Sequence, residues 1–208
     1  MDKIKLTYFD IDGGRAEPIR LALYLGGIEF EDCRVSFSEF ERMRGSTPLH
    51  ALPVVEIDGV MYTQGNAMCR YFGKLAGLYP SDSWQAFLCD EVLEIVEDAI
   101  LALGRTFGLR GNELKAARAA LCEGMYTRCL KVLDERLEAA GGEYFAERRL
   151  TVADLKVYVW MKRLKSGALD HVPSDLPDTI APRLVRHMER VAMEPGVVAY
   201  YASRRKQT

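Results

Sequence analysis

The sequence predicts an α/β unit followed by an all-helical one, and three observations predict it. Before residue 80 the patterns run β-α-β and then β-β-α. Turn formers then cluster at Leu78-Tyr79-Pro80-Ser81-Asp82-Ser83, and beyond them strand patterns almost vanish. The remainder repeats apolar residues at helical spacing, as at Leu121, Met125 and Cys129, which is the pattern of helices that bury one face. The expected domains are therefore 1–79 and 84–208. With 208 residues, 49% of them hydrophobic and 28% charged, the chain can bury a sizeable core, and collagen-like, low-complexity and broadly disordered chains are excluded.

Taken in order, Ile4 to Phe9 alternates and is partly β-branched, so it reads as a strand that Asp10 to Gly14 breaks. Arg15 to Leu25 reads as a helix with Pro18 in its first turn, where a missing N–H costs little, and Gly26-Gly27 stops it. Phe30 to Val35 closes a β-α-β unit whose crossover is long enough for parallel pairing. Residues 36–52 read as irregular. Val54 to Thr63 is a hairpin around Asp58-Gly59, and Asn66 to Leu75 is a helix that Asn66 or a neighbour could cap. Helices are then expected near 84–108, 113–140, 151–168 and 179–194.

Charge narrows the function classes. The 28 Lys and Arg nearly balance the 30 Asp and Glu, for a formal charge of -2, so no overall field steers the chain to nucleic acid. The one basic cluster, Arg204-Arg205-Lys206, reads as a solvated tail. Met1 to Lys5 is charged where a secretory signal needs apolar residues, and no apolar run approaches the ~18 residues of a membrane span, so a cytoplasmic protein without membrane contact is expected. Five cysteines without a C-x-x-C pair read as reduced, mostly buried side chains, and His50, His171 and His187 lack metal-ligand spacing, so no metal is expected.

Four short motifs carry chemistry. Tyr8-Phe9 ends the first strand where a helix is about to begin, so the phenol is either a cap on a core strand or a hydrogen-bond donor to a bound thiolate. Leu52-Pro53 is either an edge device or, with a cis bond, a place where the Leu52 backbone pairs with an extended peptide-like ligand. Gln64-Gly65-Asn66 opens a helix whose first N–H groups can hold a carboxylate. Thr151-Val152-Ala153-Asp154 is a capping box and belongs to folding.

These elements, in this order and ahead of helices, resemble the cytosolic glutathione transferases, most closely the sigma class. The resemblance rests on Lys5-Leu6-Thr7-Tyr8-Phe9-Asp10, Gly14-Arg15-Ala16-Glu17-Pro18-Ile19-Arg20, Leu52-Pro53-Val54 with Glu56-Ile57-Asp58-Gly59, and Thr151-Val152-Ala153-Asp154-Leu155. It implies a thioredoxin-like domain binding glutathione as co-substrate, a helical domain walling the electrophile pocket, and a homodimer. Tyr8 falls on the catalytic tyrosine and Arg15 on the arginine supporting its hydroxyl. Leu52 falls on the residue pairing with the cysteinyl unit and Pro53 on the cis-proline. Gln64 and Gly65 fall on the pair holding the γ-glutamyl carboxylate, and Asp98 on the acid that reaches the neighbouring site. Phe9, Ile11, Ile100 and Arg105, with Lys156 after them, would line the second-substrate pocket, the two cations favouring anionic or polar electrophiles.

The departures matter as much. Phe40 and Arg44 stand where the family has Trp and Lys for the glycyl carboxylate, so an indole donor is lost and the cation kept. Ala51 replaces a Lys or Gln, and Gly65 replaces a Ser whose hydroxyl holds the γ-glutamyl carboxylate. One lost hydrogen bond to a charged group is worth roughly 1.5–3 kcal/mol, so weaker glutathione binding is expected. One extra residue falls within Asp12-Gly13-Gly14, where Asp12 could oppose a thiolate. Glu147 stands where the family has a glycine. The expected function is glutathione conjugation to electrophiles. The rivals are a non-catalytic binding or scaffold protein of the same fold and a glutathione-dependent prostaglandin isomerase; glutaredoxin-like exchange is disfavoured, because Tyr8 stands where a Cys would be needed.

Overall fold

The alternation of Ile4–Phe9 (β1) makes the strand around which the first unit is built. The computed structural model describes residues 3–204, so Met1-Asp2 and the Arg205-Lys206 part of the basic cluster lie outside the described residues. Leu6, Thr7 and Tyr8 are all buried, as expected of a strand covered on both faces. Glu17–Leu25 (α1) starts with Pro18 in its first turn and buries Ile19, Leu21, Ala22 and Leu23. Glu31–Val35 (β2) then pairs parallel to β1, with Leu6 opposite Asp32 and Tyr8 opposite Arg34.

The stretch expected to be irregular holds a helix, Phe37–Met43 (α2), and a 3₁₀ turn, Arg44–Ser46. Its cause is legible. Ser36 and Glu39 form a capping box, with the Ser36 N–H donating to Glu39 Oε2 at 2.7 Å and the Glu39 N–H to Ser36 Oγ at 3.2 Å. Val54–Ile57 (β3) and Val60–Tyr62 (β4) form the hairpin, with Asp58 at φ 50° and Gly59 at φ 84°, the left-handed pair that a two-residue turn requires. Gly65–Leu75 (α3) has no side-chain cap, against the expectation for Asn66; its preceding residue is Gln64 at φ 76°. The sheet order is β2-β1-β3-β4, with β3 antiparallel to β1.

The second unit is helical. Ser83–Gly104 (α4) is capped by Asp82, whose Oδ1 accepts the N–H groups of Trp84 and Gln85 at 3.0 Å each. The helix expected at 113–140 is realised as Gly111–Leu121 (α5), a turn of π-helix at Cys122–Tyr126 and Thr127–Ala139 (α6). Val152–Lys165 (α7) is buried along most of its length and packs against α4 and α9, the latter at Pro182–Met193. The helix expected at 179–194 is split into Leu176–Ile180 (α8) and α9, because Pro182 has no N–H to continue the ladder.

The chain divides into two compact units, one reaching to Tyr79 and resuming at Pro195, the other Pro80–Glu194. The last helix, Pro195–Arg204 (α10), was unpredicted and returns to the first unit rather than staying with the helical one. It covers the outer side of α1, with Tyr24 edge-on to Tyr200 at 5.3 Å, and with Leu25 so close to Gly196 that a Cβ there would lie 3.1 Å from it. No described helix is long and apolar enough to cross a membrane.

Candidate active site

The first unit converges on the Tyr8 phenol. Tyr8 is 6% exposed at the end of β1, and its oxygen accepts the main-chain N–H of Arg15 at 3.2 Å. Accepting a main-chain N–H polarises the phenol and makes its O–H a stronger donor. The arrangement needs a glycine next door: a Cβ on Gly14, which sits at φ 67°, would stand 2.6 Å from the hydroxyl. From behind, the Arg20 guanidinium lies 5.9 Å from the ring centroid.

The other predicted residues of this unit gather around that point. The Leu52–Pro53 bond is cis. A Cβ built on Gly65, the first residue of α3, would lie 3.7 Å from Arg15 Cβ and 3.8 Å from Pro53 Cγ, so the Tyr8–Arg15 turn, the proline and the opening of α3 adjoin. Main-chain N–H groups at that helix start have no intrahelical acceptor, which suits a carboxylate. Phe40 is 5% exposed, and with Phe9 and Phe37 it extends an aromatic run from Tyr8: Tyr8–Phe9 at 5.2 Å, Phe9–Phe37 at 4.6 Å and Phe9–Phe40 at 5.4 Å between ring centroids. Arg44 lies over the Phe40 ring at 4.8 Å and is paired with Glu41. The cation predicted to meet a carboxylate is thus already next to one.

The remaining predicted residues lie on both units. Phe9 is half-buried and Ile11 exposed on the first. Ile100 is half-buried on α4, where Asp98 is exposed, and Arg105 is exposed just after α4. Lys156 differs from expectation. It is 3% exposed within the helical unit, and its ammonium meets Glu97 Oε2 at 2.7 Å, so its charge is matched inside the fold rather than offered to an anionic substrate.

Asp12, expected as a threat to a thiolate, is compensated by two cations, with Arg34 at 3.2 Å and Arg204 at 2.9 Å. Sequence reasoning missed this arginine cluster. Its signal was present in Arg20, Arg34 and Arg204, but these are far apart in the chain and only the packing of α10 on α1 unites them. The glycine position before the capping box is also explained: Glu147 is at φ 52° and Arg148 at φ 51°, conformations that a glycine adopts more easily. Three of the five thiols are held in the protonated form by burial. Burial pushes Cys89 up to about 12 and Cys129 up to about 11, and raises Cys122 as well. No group of three or more His, Cys, Asp and Glu side chains suited to a metal occurs among the described residues.

Residues 103–204 match the family model described as "Glutathione S-transferase, C-terminal domain". Glutathione S-transferase 1 of Ascaris suum is 27% identical over 212 residues, spanning 99% of this chain and 98% of that protein. Hematopoietic prostaglandin D synthase of Gallus gallus is 28% identical over 207 residues, spanning 99% and 98%. Among solved structures, prostaglandin synthase D of Nilaparvata lugens superposes with a TM-score of 0.85 at 25% identity, covering 97% of this chain and 98% of that one.

Proposed function

We propose that the chain, which is similar to glutathione S-transferases over nearly its whole length, is a sigma-like glutathione transferase whose Tyr8 hydroxyl holds the sulfur of bound glutathione as a thiolate. The observation that carries this is the phenol at the end of β1, polarised by the Arg15 N–H at 3.2 Å. A phenol donating to sulfur favours the anion over the thiol, so a larger fraction is nucleophilic at neutral pH. The thiol proton leaves to solvent, the sulfur forms a bond to an electrophilic carbon, and the displaced group or the opened double bond takes the electron pair. The protein contributes acidity and proximity, without a covalent enzyme intermediate.

In this reading the opening of α3 at Gln64 and Gly65 receives the γ-glutamyl carboxylate and the Leu52 backbone pairs with the cysteinyl unit. Arg44 leaves Glu41 for the glycyl carboxylate, and Asp98 serves the site of a second copy in a homodimer. Phe9, Ile11, Ile100 and Arg105 are the proposed contacts of the electrophile, and the cytoplasm is the proposed location. The names of the Gallus gallus and Nilaparvata lugens proteins support a second reading, isomerisation of a prostaglandin endoperoxide by the same thiolate.

Replacing Tyr8 with Phe tests the shared step. The variant should lose about tenfold to a hundredfold in kcat/KM with an aryl halide, the worth of one hydrogen bond to a charged group. The pH profile of kcat/KM should move upward with it. An unchanged rate and profile would remove Tyr8 from the mechanism. Assay of an endoperoxide with the wild-type protein separates the two chemistries.

A further inference from the structure

The segment between Tyr8 and Arg15 is tied by its own backbone only at its start, where the Asp10 N–H donates to the Val35 carbonyl at 3.0 Å and the Ile11 N–H to the Phe9 carbonyl at 2.8 Å. Asp10, Ile11 and Asp12 are exposed, and Gly13 and Gly14 follow them, with open space around a Cβ at Gly13. A short polar run with two glycines has many conformations to lose on folding. Three arginines from three other elements hold it. Arg20 of α1, fully buried, donates through Nη1 to the Ile11 carbonyl at 3.0 Å and through Nε to Asp32 Oδ1 at 2.8 Å. Arg34 of β2 donates to the Ile11 carbonyl at 3.3 Å, to Asp10 at 3.3 Å and to Asp12 at 3.2 Å, while its Nε holds Asp32 at 2.7 Å. Arg204 of α10 is paired with Asp12 at 2.9 Å and Asp32 at 3.4 Å.

Two further groups complete the charged surroundings. Glu17, fully buried, pairs with Arg20 at 3.2 Å, and burial raises its carboxyl above the usual range. The Tyr200 phenol of α10 is pushed up by burial and then by Glu17, so it stays neutral and adds no charge. Arg204 is the one of the three cations that comes from the far end of the chain, and it reaches both the loop and the strand beside it. Its helix is seated independently by Tyr200 on Tyr24 and by Gly196 on Leu25. Losing the Arg204 head group therefore leaves α10 docked and loosens only the loop.

We propose that Arg204 is a positioning residue for Tyr8: by bridging Asp12 and Asp32, it holds Asp10–Gly14 so that the Arg15 N–H meets the phenol oxygen. This rests on the reading of Tyr8 as the thiolate's donor. Without Arg204, Asp12 keeps Arg34 alone, the loop gains freedom, and both the loss of the N–H on the phenol and the less compensated Asp12 charge disfavour the bound thiolate. The pair is about a quarter exposed at Arg204 and half exposed at Asp12, which limits the effect.

The test compares the wild type, Arg204→Ala and Arg204→Lys by the ultraviolet thiolate absorbance of bound glutathione across pH, with hydrogen exchange at the Arg15 amide as a readout that needs no glutathione. Arg204→Ala should raise the pKa of the bound thiol by about half to one unit, a threefold to tenfold loss of thiolate at fixed pH. It should speed exchange at Arg15 and leave KM for glutathione within about twofold; Arg204→Lys, which keeps the charge, should restore at least half of the shift. A lower melting temperature with unchanged thiol pKa and unchanged Arg15 exchange would overturn the proposal and make Arg204 merely structural. No thiolate signal from the wild type would overturn the Tyr8 reading and this proposal with it, an outcome distinct from a wild-type signal that Arg204→Ala leaves in place.

Discussion

Two turns of this molecule each bury a polar side chain at the start of a helix, and they use it in opposite ways. In the first turn of α7, Asp154 is fully buried and its carboxylate is saturated. It accepts the Thr151 N–H at 2.8 Å and hydroxyl at 2.6 Å, the Phe145 N–H at 3.0 Å and His187 Nε2 at 2.9 Å. Before α1, Tyr8 takes the Arg15 N–H at 3.2 Å, and its oxygen lies beside the backbone of Gly14 with no Cβ over it. A carboxylate with four donors is a fixed point of the fold. A phenol that takes a main-chain N–H beside a glycine is the group proposed to act on the bound thiol. The difference is one of setting rather than of burial, since both groups are buried: the carboxylate is ringed by donors of its own fold, and the phenol oxygen lies beside a residue that has no Cβ.

The largest effect should come from breaking the saturated turn. Asp154→Ala strands the buried N–H groups of Phe145 and Thr151 and leaves His187 facing a cavity, which should cost about 3–5 kcal/mol. Urea denaturation should show the loss as a lower midpoint. In whatever fraction remains folded, the bound thiol should ionise as in the wild type. A shifted thiol pKa would show that the two turns are coupled and would break the distinction between them.

The Tyr8 turn should respond in the reverse manner. In Gly14→Ala the new methyl would stand 2.6 Å from the hydroxyl on a backbone at φ 67°, so either the phenol or the loop must move. A displacement of this size at a reacting group costs up to about a hundredfold in rate, and tenfold to a hundredfold is expected in kcat/KM. Stability should fall by only about 1–2 kcal/mol, chiefly from the positive φ. A loss of stability without a loss of rate would mean that the phenol is not aimed by this turn.

What could be read from the sequence follows the same divide between local and distant causes. The strands, α1, the hairpin and the capping box were legible, because each is encoded by neighbours: alternation, Pro18, Asp58-Gly59 and Thr151 with Asp154. Helix α2 was equally local in Ser36 and Glu39 and was missed because the surrounding residues lack periodicity. Helix α10 and the Arg20, Arg34 and Arg204 cluster were beyond a local reading. Their partner Asp32 is 172 residues from Arg204, and ion pairs at that separation have no sequence pattern. The match of Lys156 to Glu97 was hidden for the same reason.

The finest test of the comparison adds a donor to the reactive side instead of removing one. Gly65 opens α3, its φ lies outside the left-handed region, and a Cβ there would make only ordinary contacts, 3.7 Å to Arg15 and 3.8 Å to Pro53. Gly65→Ser therefore fits without displacing either neighbour, and its hydroxyl would supply the donor whose absence is expected to weaken glutathione binding. One net hydrogen bond of about 0.5–1.5 kcal/mol should tighten the calorimetric Kd for glutathione by about twofold to tenfold. On the proposed reading of Tyr8 the bound thiol's pKa should not move, because the new hydroxyl would address the γ-glutamyl carboxylate and not the sulfur. If affinity is unchanged, the weakness does not arise at Gly65, and the Arg44–Glu41 pair at the other end of the tripeptide becomes the place to look.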